Sequence, residues 1–518
     1  MNRHPWRALA AALAAGALVP AAASASPPVS WTGVPSANPK VTGASPANVL
    51  SPELSETAVA WGSLSLDGAT SAVPYYGYDG FTAPTVLTQA INEAHKTEPD
   101  KNTYLVLPGG QPGADPNYDY GTHFLYQGHE SGTPGAITRI NLDADQAHRV
   151  TLLSTNVSAI DGSTWDPFAQ RLLFTTENSS QGTYAATLGY PAQVTDISGA
   201  VGRGGYEGIQ ADSAGNLWIV EDVGGSAGSP STHAKQPNSF VYRFVPDHPS
   251  DLSQGRLEAL QVISNRSGDP IAFHAGQAEA DITSPDTRDL HTPGEEFRTR
   301  WVTLHDTGTD GTTPFSANAL AKAAKATPFK RPENGVFEPG DHFQRFFFTE
   351  TGDTNSLTEA GAAYGGFGSL QELFQRDPSA STGRLRVVWQ GDVAHTGLDN
   401  IAFVSRHQAA VVEDAGDGLH TQRNALDSAY LLDVTEDQPA PVRFLAEGRD
   451  PSATFDAEHS GHGNEGDNEI TGIHVSDGDP TIAGLLGVKV PTLFSGGWRM
   501  FWTQQHGDNN TYEVSPAP

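Results

Sequence analysis

Cysteine is absent from all 518 residues. No disulfide can brace the fold, no thiolate can ligate a metal, and no cysteine can act as a nucleophile. Stability has to come from a buried core, which a chain of this length can supply. Basic residues are sparse as well: Lys plus Arg number 30 against 60 Asp plus Glu, for a formal charge of −30. Such a field repels nucleic acid and anionic membrane, and no basic stripe offsets it. Beyond the first 25 residues no run reaches the ~18 consecutive apolar residues of a membrane span. No P-loop occurs, which excludes nucleotide motors of that kind. The expected partner is a small molecule, taken up by a monomer.

The first 25 residues read as a removable export leader: Arg3 and Arg7 open a basic region, an Ala/Leu run follows, and Ala23-Ser24-Ala25 is a small-residue cleavage site before Ser26. An uncleaved anchor is the alternative. Cleavage near Ala25 would release a secreted or periplasmic protein. Residues 26–55, rich in Pro, Ser, Ala and Asn, read as a loosely ordered N-terminal arm. From 56 to 518 short β-branched and aromatic runs alternate with Gly, Asp, Asn and Pro turns, as in one all-β domain. Helices are expected at 316–325 and at Ser369–Phe374. The 458–467 segment reads as a solvated glycine-rich loop, and Asp306–Gly311 as a turn without EF-hand spacing.

An imperfect repeat organises this domain. Tyr206-Glu207-Gly208-Ile209 leads through a Gly215-Asn216 turn to Leu217-Trp218-Ile219-Val220-Glu221-Asp222. Glu333-Asn334-Gly335 leads to Phe346-Phe347-Phe348-Thr349-Glu350, and Asp399-Asn400-Ile401 to Val411-Val412-Glu413-Asp414. Weaker copies start at Trp165-Asp166 and at Glu469-Ile470, and an early one ends in His129-Glu130. The second strands end at Glu130, Glu177, Glu221, Glu350, Glu413 and Gln505, at intervals stretched by insertions. Six such units imply a six-bladed β-propeller with insertions, with a pair of β-sandwiches as the alternative.

In a propeller the start of each inner strand and the end of the second lie on one face of the disc. The repeat therefore aims Glu130, Glu177, Glu207, Glu221, Glu333, Asp399, Glu413 and Glu469 at one channel mouth. Bare carboxylates packed so closely would repel one another, and a hard, oxygen-seeking cation such as Ca²⁺ would relieve them. Carboxylates that merely cap solvated turns are the competing reading.

These motifs resemble those of the PhoX-type alkaline phosphatases. Arg331-Pro332-Glu333 resembles the family's Arg-Pro-Glu motif, Asn468-Glu469-Ile470-Thr471-Gly472 its Glu-x-Thr-Gly segment, and Gln505-His506-Gly507 its Gln-His ending. Asp399-Asn400 with Glu413-Asp414, His129-Glu130 and Glu177-Asn178 are similar to its remaining blade motifs. The resemblance implies a six-bladed propeller that hydrolyses phosphate monoesters, with calcium and iron at the channel mouth. It makes Arg331 a phosphate contact and places Glu177, Glu333, Asp399 and Glu469 among the metal ligands. His129 and His506 are candidate general acids or ligands. The chain departs from the pattern at Thr175-Thr176, where the best-studied branch has a cysteine iron ligand, and at Arg243, where it has an acid. Its leader has separated rather than twin arginines. Ca²⁺ is therefore the expected ion, and Fe³⁺ is disfavoured for want of the cysteine ligand. Two other outcomes remain open at this stage: another calcium propeller hydrolase, phytase-like or lactonase-like, and a non-catalytic binding propeller.

Overall fold

The computed structural model describes residues 28–40, 46–80, 96–353, 356–357, 360–450 and 469–518. The leader and the 458–467 loop lie outside the described residues.

Six antiparallel hairpins follow one another along the chain. The first pairs Pro99–Val106 with His123–His129, the second Ile160–Asp166 with Arg171–Thr176, and the third Tyr206–Ala211 with Leu217–Glu221. The fourth pairs Pro332–Phe337 with Arg345–Glu350, the fifth Leu398–Phe403 with Gln408–Glu413, and the sixth Glu469–Ser476 with Arg499–Gln505. Their first strands touch in a closed ring, each against the next and the sixth against the first. Further strands extend the hairpins outward into four sheets of four or five strands and one of nine. The nine-stranded sheet joins the third and fourth units through Glu296–Asp306, part of the insertion that separates Glu221 from Glu350. The architecture is all-β and propeller-like.

The second strands carry apolar runs without alternation because both faces are covered. Phe346, Phe347 and Phe348 show how. Successive side chains in a strand point to opposite faces. Phe346 and Phe348 accordingly pack with Trp218 of the third unit, while Phe347 packs with Phe403 of the fifth. The same rule corrects one expectation: Ser369–Gln375 is a strand, not a helix. Leu370 and Leu373 have helical spacing, but an odd separation in a strand sends them into two different cores. The other expected helix forms at Ala317–Ala323, where the Ser316 hydroxyl caps Ala319 N–H. Asp306 likewise caps a single helical turn, Thr307–Asp310.

The ring is closed by pairing the chain ends. Leu54–Ala60 runs antiparallel to Asn510–Pro516, and Val49–Leu50 adds an edge to Val442–Ala446. The arm before them is pinned rather than loose. Gln408 bonds both the N–H and the carbonyl of Val29, and Trp31 packs on Phe444 with ring centres 4.9 Å apart. Sequence texture misses this because edge pairing is long-range and leaves no local signal.

Candidate metal centre

Every hairpin shares one irregularity. The first strand carries a β-bulge near its start, two residues set against one on the partner: Asp100-Lys101, Asp161-Gly162, Glu207-Gly208, Glu333-Asn334, Asp399-Asn400 and, in the sixth, Gly472-Ile473. A bulge re-aims side chains next to it. Here it turns an acid into the channel in five hairpins. In the sixth, Thr471 occupies the ring and its hydroxyl bonds Asp100, while the acid, Glu469, lies at the start of the strand.

The residue just past each second strand completes the mouth: Glu130, Glu177, Asp222, Thr351, Asp414 and His506. Oxygens of Glu177, Glu207, Asp222 and Glu333 all lie within 4.8 Å of one another, and Asp100, Glu130 and Asp161 form a second such group. Of the acids expected at the mouth, Glu130, Glu177, Glu207 and Glu333 fall in these two groups, and Asp399 and Glu469 feel the charges of Asp100 and Asp414 beside them.

Glu221 and Glu413 do not join them. Each is the last residue of its strand, so alternation turns it away from the channel that its successor enters. Glu221 accepts from Phe240 N (3.1 Å), the Tyr242 hydroxyl (2.8 Å) and Asn318 Nδ2 (3.0 Å), and burial pushes it up to about 8. Glu413 accepts from Thr396 N (2.8 Å) and Ser428 N (2.9 Å) and pairs with Arg423 at 3.1 Å. Glu350 fills the same position, taking Lys330 N at 2.7 Å. Glu413 and Glu350 fasten the third strand to the start of the hairpin, and Glu221 fastens it to the Ala317–Ala323 helix. We expect Glu221→Ala, which strands the buried donors of Phe240 and Tyr242, to lower unfolding stability by about 3 kcal/mol in chemical denaturation while leaving calcium affinity unchanged.

His129, the last residue of its strand, is buried away from the mouth by the same geometry. Its two nitrogens meet the Thr97 and Thr138 hydroxyls at 3.0 and 2.9 Å, and burial pulls it down to about 3. His506 does stand at the mouth, 3.4 Å from Glu98 and 3.7 Å from Glu469. Arg331 lies in the ring, donating through Nε to Asp222 Oδ1 and Oδ2 at 2.7 and 2.9 Å, with Glu333 3.4 Å from Nη2. Both residues hold the left-handed backbone, φ 56° for Arg331 and 58° for His506, a conformation that side chains other than glycine adopt at a cost.

Sequence reasoning missed Asp100, Asp161, Asp222, Asp414 and Lys101. Asp166, taken as the opening of the second unit, caps the far turn through Phe168 N at 2.8 Å, and Asp161 is the ring acid. Strand alternation applied from each strand end would have exchanged Glu221 for Asp222 and Glu413 for Asp414. Lys101 has no such signal: its buried ammonium bonds Asn400 Oδ1 at 2.6 Å, below acids contributed by other hairpins. Arg243 is remote from the mouth, buried against Trp301 and paired with Glu258 at 2.7 Å. Thr175, in the stretch where a cysteine was sought, spends its hydroxyl on the Glu207 carbonyl.

The electrostatics are those of a cation site. Burial, then the charges of their neighbours, holds Glu130, Asp161, Glu207, Glu333, Asp399 and Glu469 well above the usual carboxylate range. Glu177 goes the other way, its burial outweighed by hydrogen bonds from Glu130 and Glu207 and by Arg331. Glu207 Oε2 is buried with no donor. An all-oxygen set that is short of donors and crowded with like charge fits a hard divalent ion and offers nothing to a thiophilic one.

Neither a protein-family model nor a curated protein sequence matches the chain. Among solved structures it is similar to Pseudomonas fluorescens PhoX in complex with vanadate, a transition state analogue: TM-score 0.58 at 10% identity, covering 94% of this chain and 98% of that one. A catalytically inactive virginiamycin B lyase from Staphylococcus aureus with quinupristin aligns at TM-score 0.31 and 10% identity, covering 80% and 99% of the two chains. A fungal alcohol oxidase in complex with copper aligns at 0.32 and 10%, covering 81% and 74%. The first likeness defines a PhoX-like fold.

Proposed function

We propose that the protein is an exported, metal-dependent phosphatase that hydrolyses phosphate esters at the mouth of a six-bladed propeller, with the third and fourth blades fused through Glu296–Asp306. The observation that carries this reading is the placement of Arg331, a planar guanidinium, inside a ring of buried carboxylates. A cation site alone fits many calcium-binding propellers. A cation site with an arginine on its rim fits a phosphoryl group, which needs positive charge on several oxygens at once. The PhoX structure of similar fold, with its bound vanadate, supports the same chemistry.

Glu177, Glu207, Asp222 and Glu333 would hold one ion, and Asp100, Glu130 and Asp161 a second, with calcium the expected metal. When bound, the ions supply Lewis-acid polarisation of the phosphoryl oxygens. Arg331, held by Asp222, then presents its outer edge to the phosphate. Thr351 fixes Glu333 through its hydroxyl, so the ligand does not swing toward Arg331. His506, between Glu98 and Glu469, is placed to pass a proton to the departing alkoxide. Removal of the leader near Ala25 puts the enzyme outside the cytoplasm, where calcium is plentiful and no free thiol is exposed to oxidation.

The test is hydrolysis of p-nitrophenyl phosphate and bis(p-nitrophenyl) phosphate by the purified protein with calcium, with chelator, and with iron restored. The expected result is calcium-dependent turnover of the monoester. Absence of turnover with either metal would leave a calcium-binding propeller without catalysis.

A further inference from the structure

Beside the ring, past Arg331, opens a cavity of about 180 Å³ whose polar wall is made by Lys235, Arg331, Thr351, Asp353 and Asp414. Three units build it: Lys235 comes from the loop leading into the third strand of the third unit, Arg331 to Asp353 from the fourth, and Asp414 from the fifth. Its charges are distributed unevenly. The Asp353 carboxylate feels Lys330 first, then Arg331 and, more weakly, Lys235, and both its oxygens are sealed from solvent. Asp414 leans on the ring acids Asp399 and Glu469 and takes Gly416 N–H at 3.2 Å. Arg331 spends Nε and Nη2 on Asp222 and Glu333, which leaves Nη1 on a side chain that is 28% exposed.

Lys235 brings the second positive charge to this cavity. Among the described residues its half-buried ammonium makes no hydrogen bond and no ion pair within 4.0 Å. A cation without an ion-pair partner that lines a cavity beside Arg331 is placed for an anion that comes from outside. The cavity is small, about the liquid volume of six waters at roughly 30 Å³ each. That is room for a compact tetrahedral oxyanion.

We infer that Lys235 and the outer edge of Arg331 form a binding site for a phosphate group, either the head of the ester or the free product, and that Lys235 is a specificity-determining residue there. For the ester this rests on the phosphatase reading; for free phosphate it rests on the cavity alone. Lys235 is a flexible point charge that can follow the anion as it leaves the metal centre, whereas Arg331 is fixed by its fork.

The test is isothermal titration of inorganic phosphate into calcium-loaded protein dialysed free of excess metal, with wild type, Lys235→Ala and Lys235→Arg. Lys235→Ala is expected to raise the phosphate Kd at least about tenfold, a charged hydrogen bond's worth, and Lys235→Arg to restore most of it. Salt should weaken wild-type binding more steeply than that of Lys235→Ala. In a parallel assay with p-nitrophenyl phosphate, Lys235→Ala should raise KM by the same factor and change kcat less. A phosphate Kd unmoved by Lys235→Ala overturns the site, even if the enzyme is active. Lys235-dependent phosphate binding by a protein that hydrolyses nothing would keep the site and remove the phosphatase.

Discussion

Arg331→Ala should reduce kcat/KM for a phosphate monoester by a factor of roughly 100 to 1,000 while the protein still binds calcium. The magnitude follows from where the guanidinium stands. Asp222 and Glu333 hold Arg331 in place before substrate arrives, so its contribution to the transition state carries little reorganisation cost. Arg331→Lys keeps the charge but loses the fork, and should recover only part of the rate. Calcium-induced thermal stabilisation separates this from loss of the metal centre: it should persist in Arg331→Ala, because removing a cation from among carboxylates does not weaken their hold on another. Wild-type turnover in Arg331→Ala would show that the arginine merely neutralises Asp222.

The metal-free protein should lose thermal stability as pH rises from 5 to 8, and calcium should restore it. Burial raises Asp100 to about 7 and lifts Glu130, Asp161, Glu207, Glu333, Asp399 and Glu469 in the same direction. The folded chain therefore holds protons that the unfolded chain releases in the ordinary carboxylate range. The stability these protons confer is complete below that range and is lost as pH climbs through the folded values, near 7 for Asp100. Calcium takes the place of the protons. At a hundred times its Kd, one bound ion adds about 2.7 kcal/mol, enough for several degrees of midpoint. Glu207→Gln removes one like charge, so it should raise the metal-free midpoint at pH 8 and weaken the response to calcium. Differential scanning calorimetry with and without chelator would decide it. A midpoint that is flat from pH 5 to 8, or that rises, would mean the acids are not confined together.

The residues legible in sequence and those that were not differ for identifiable reasons. Glu207, Glu333 and Asp399 stand out because a bulge after each leaves a local imprint, an acid followed by Gly or Asn before an apolar strand. Asp222 and Asp414 were passed over for the glutamates beside them, although period-two alternation separates the two. Glu221 and Glu413 look like ligands by composition. Their actual partners, Phe240 and Tyr242 for the first and Thr396 and Ser428 for the second, are backbone and hydroxyl donors that no motif announces.

By itself the sequence determined the all-β character, the repeat and its insertions, the absence of any thiol ligand, and the acidity that favours a cation. These are read from neighbours along the chain. Tertiary structure alone decided which face each strand-end acid presents, that His129 is sealed between two threonines, that Lys101 lies beneath the acids, and that Lys235 stands beside Arg331. Most of these pairings join residues far apart in the chain, and closure of the ring, rather than any local preference, sets their distances.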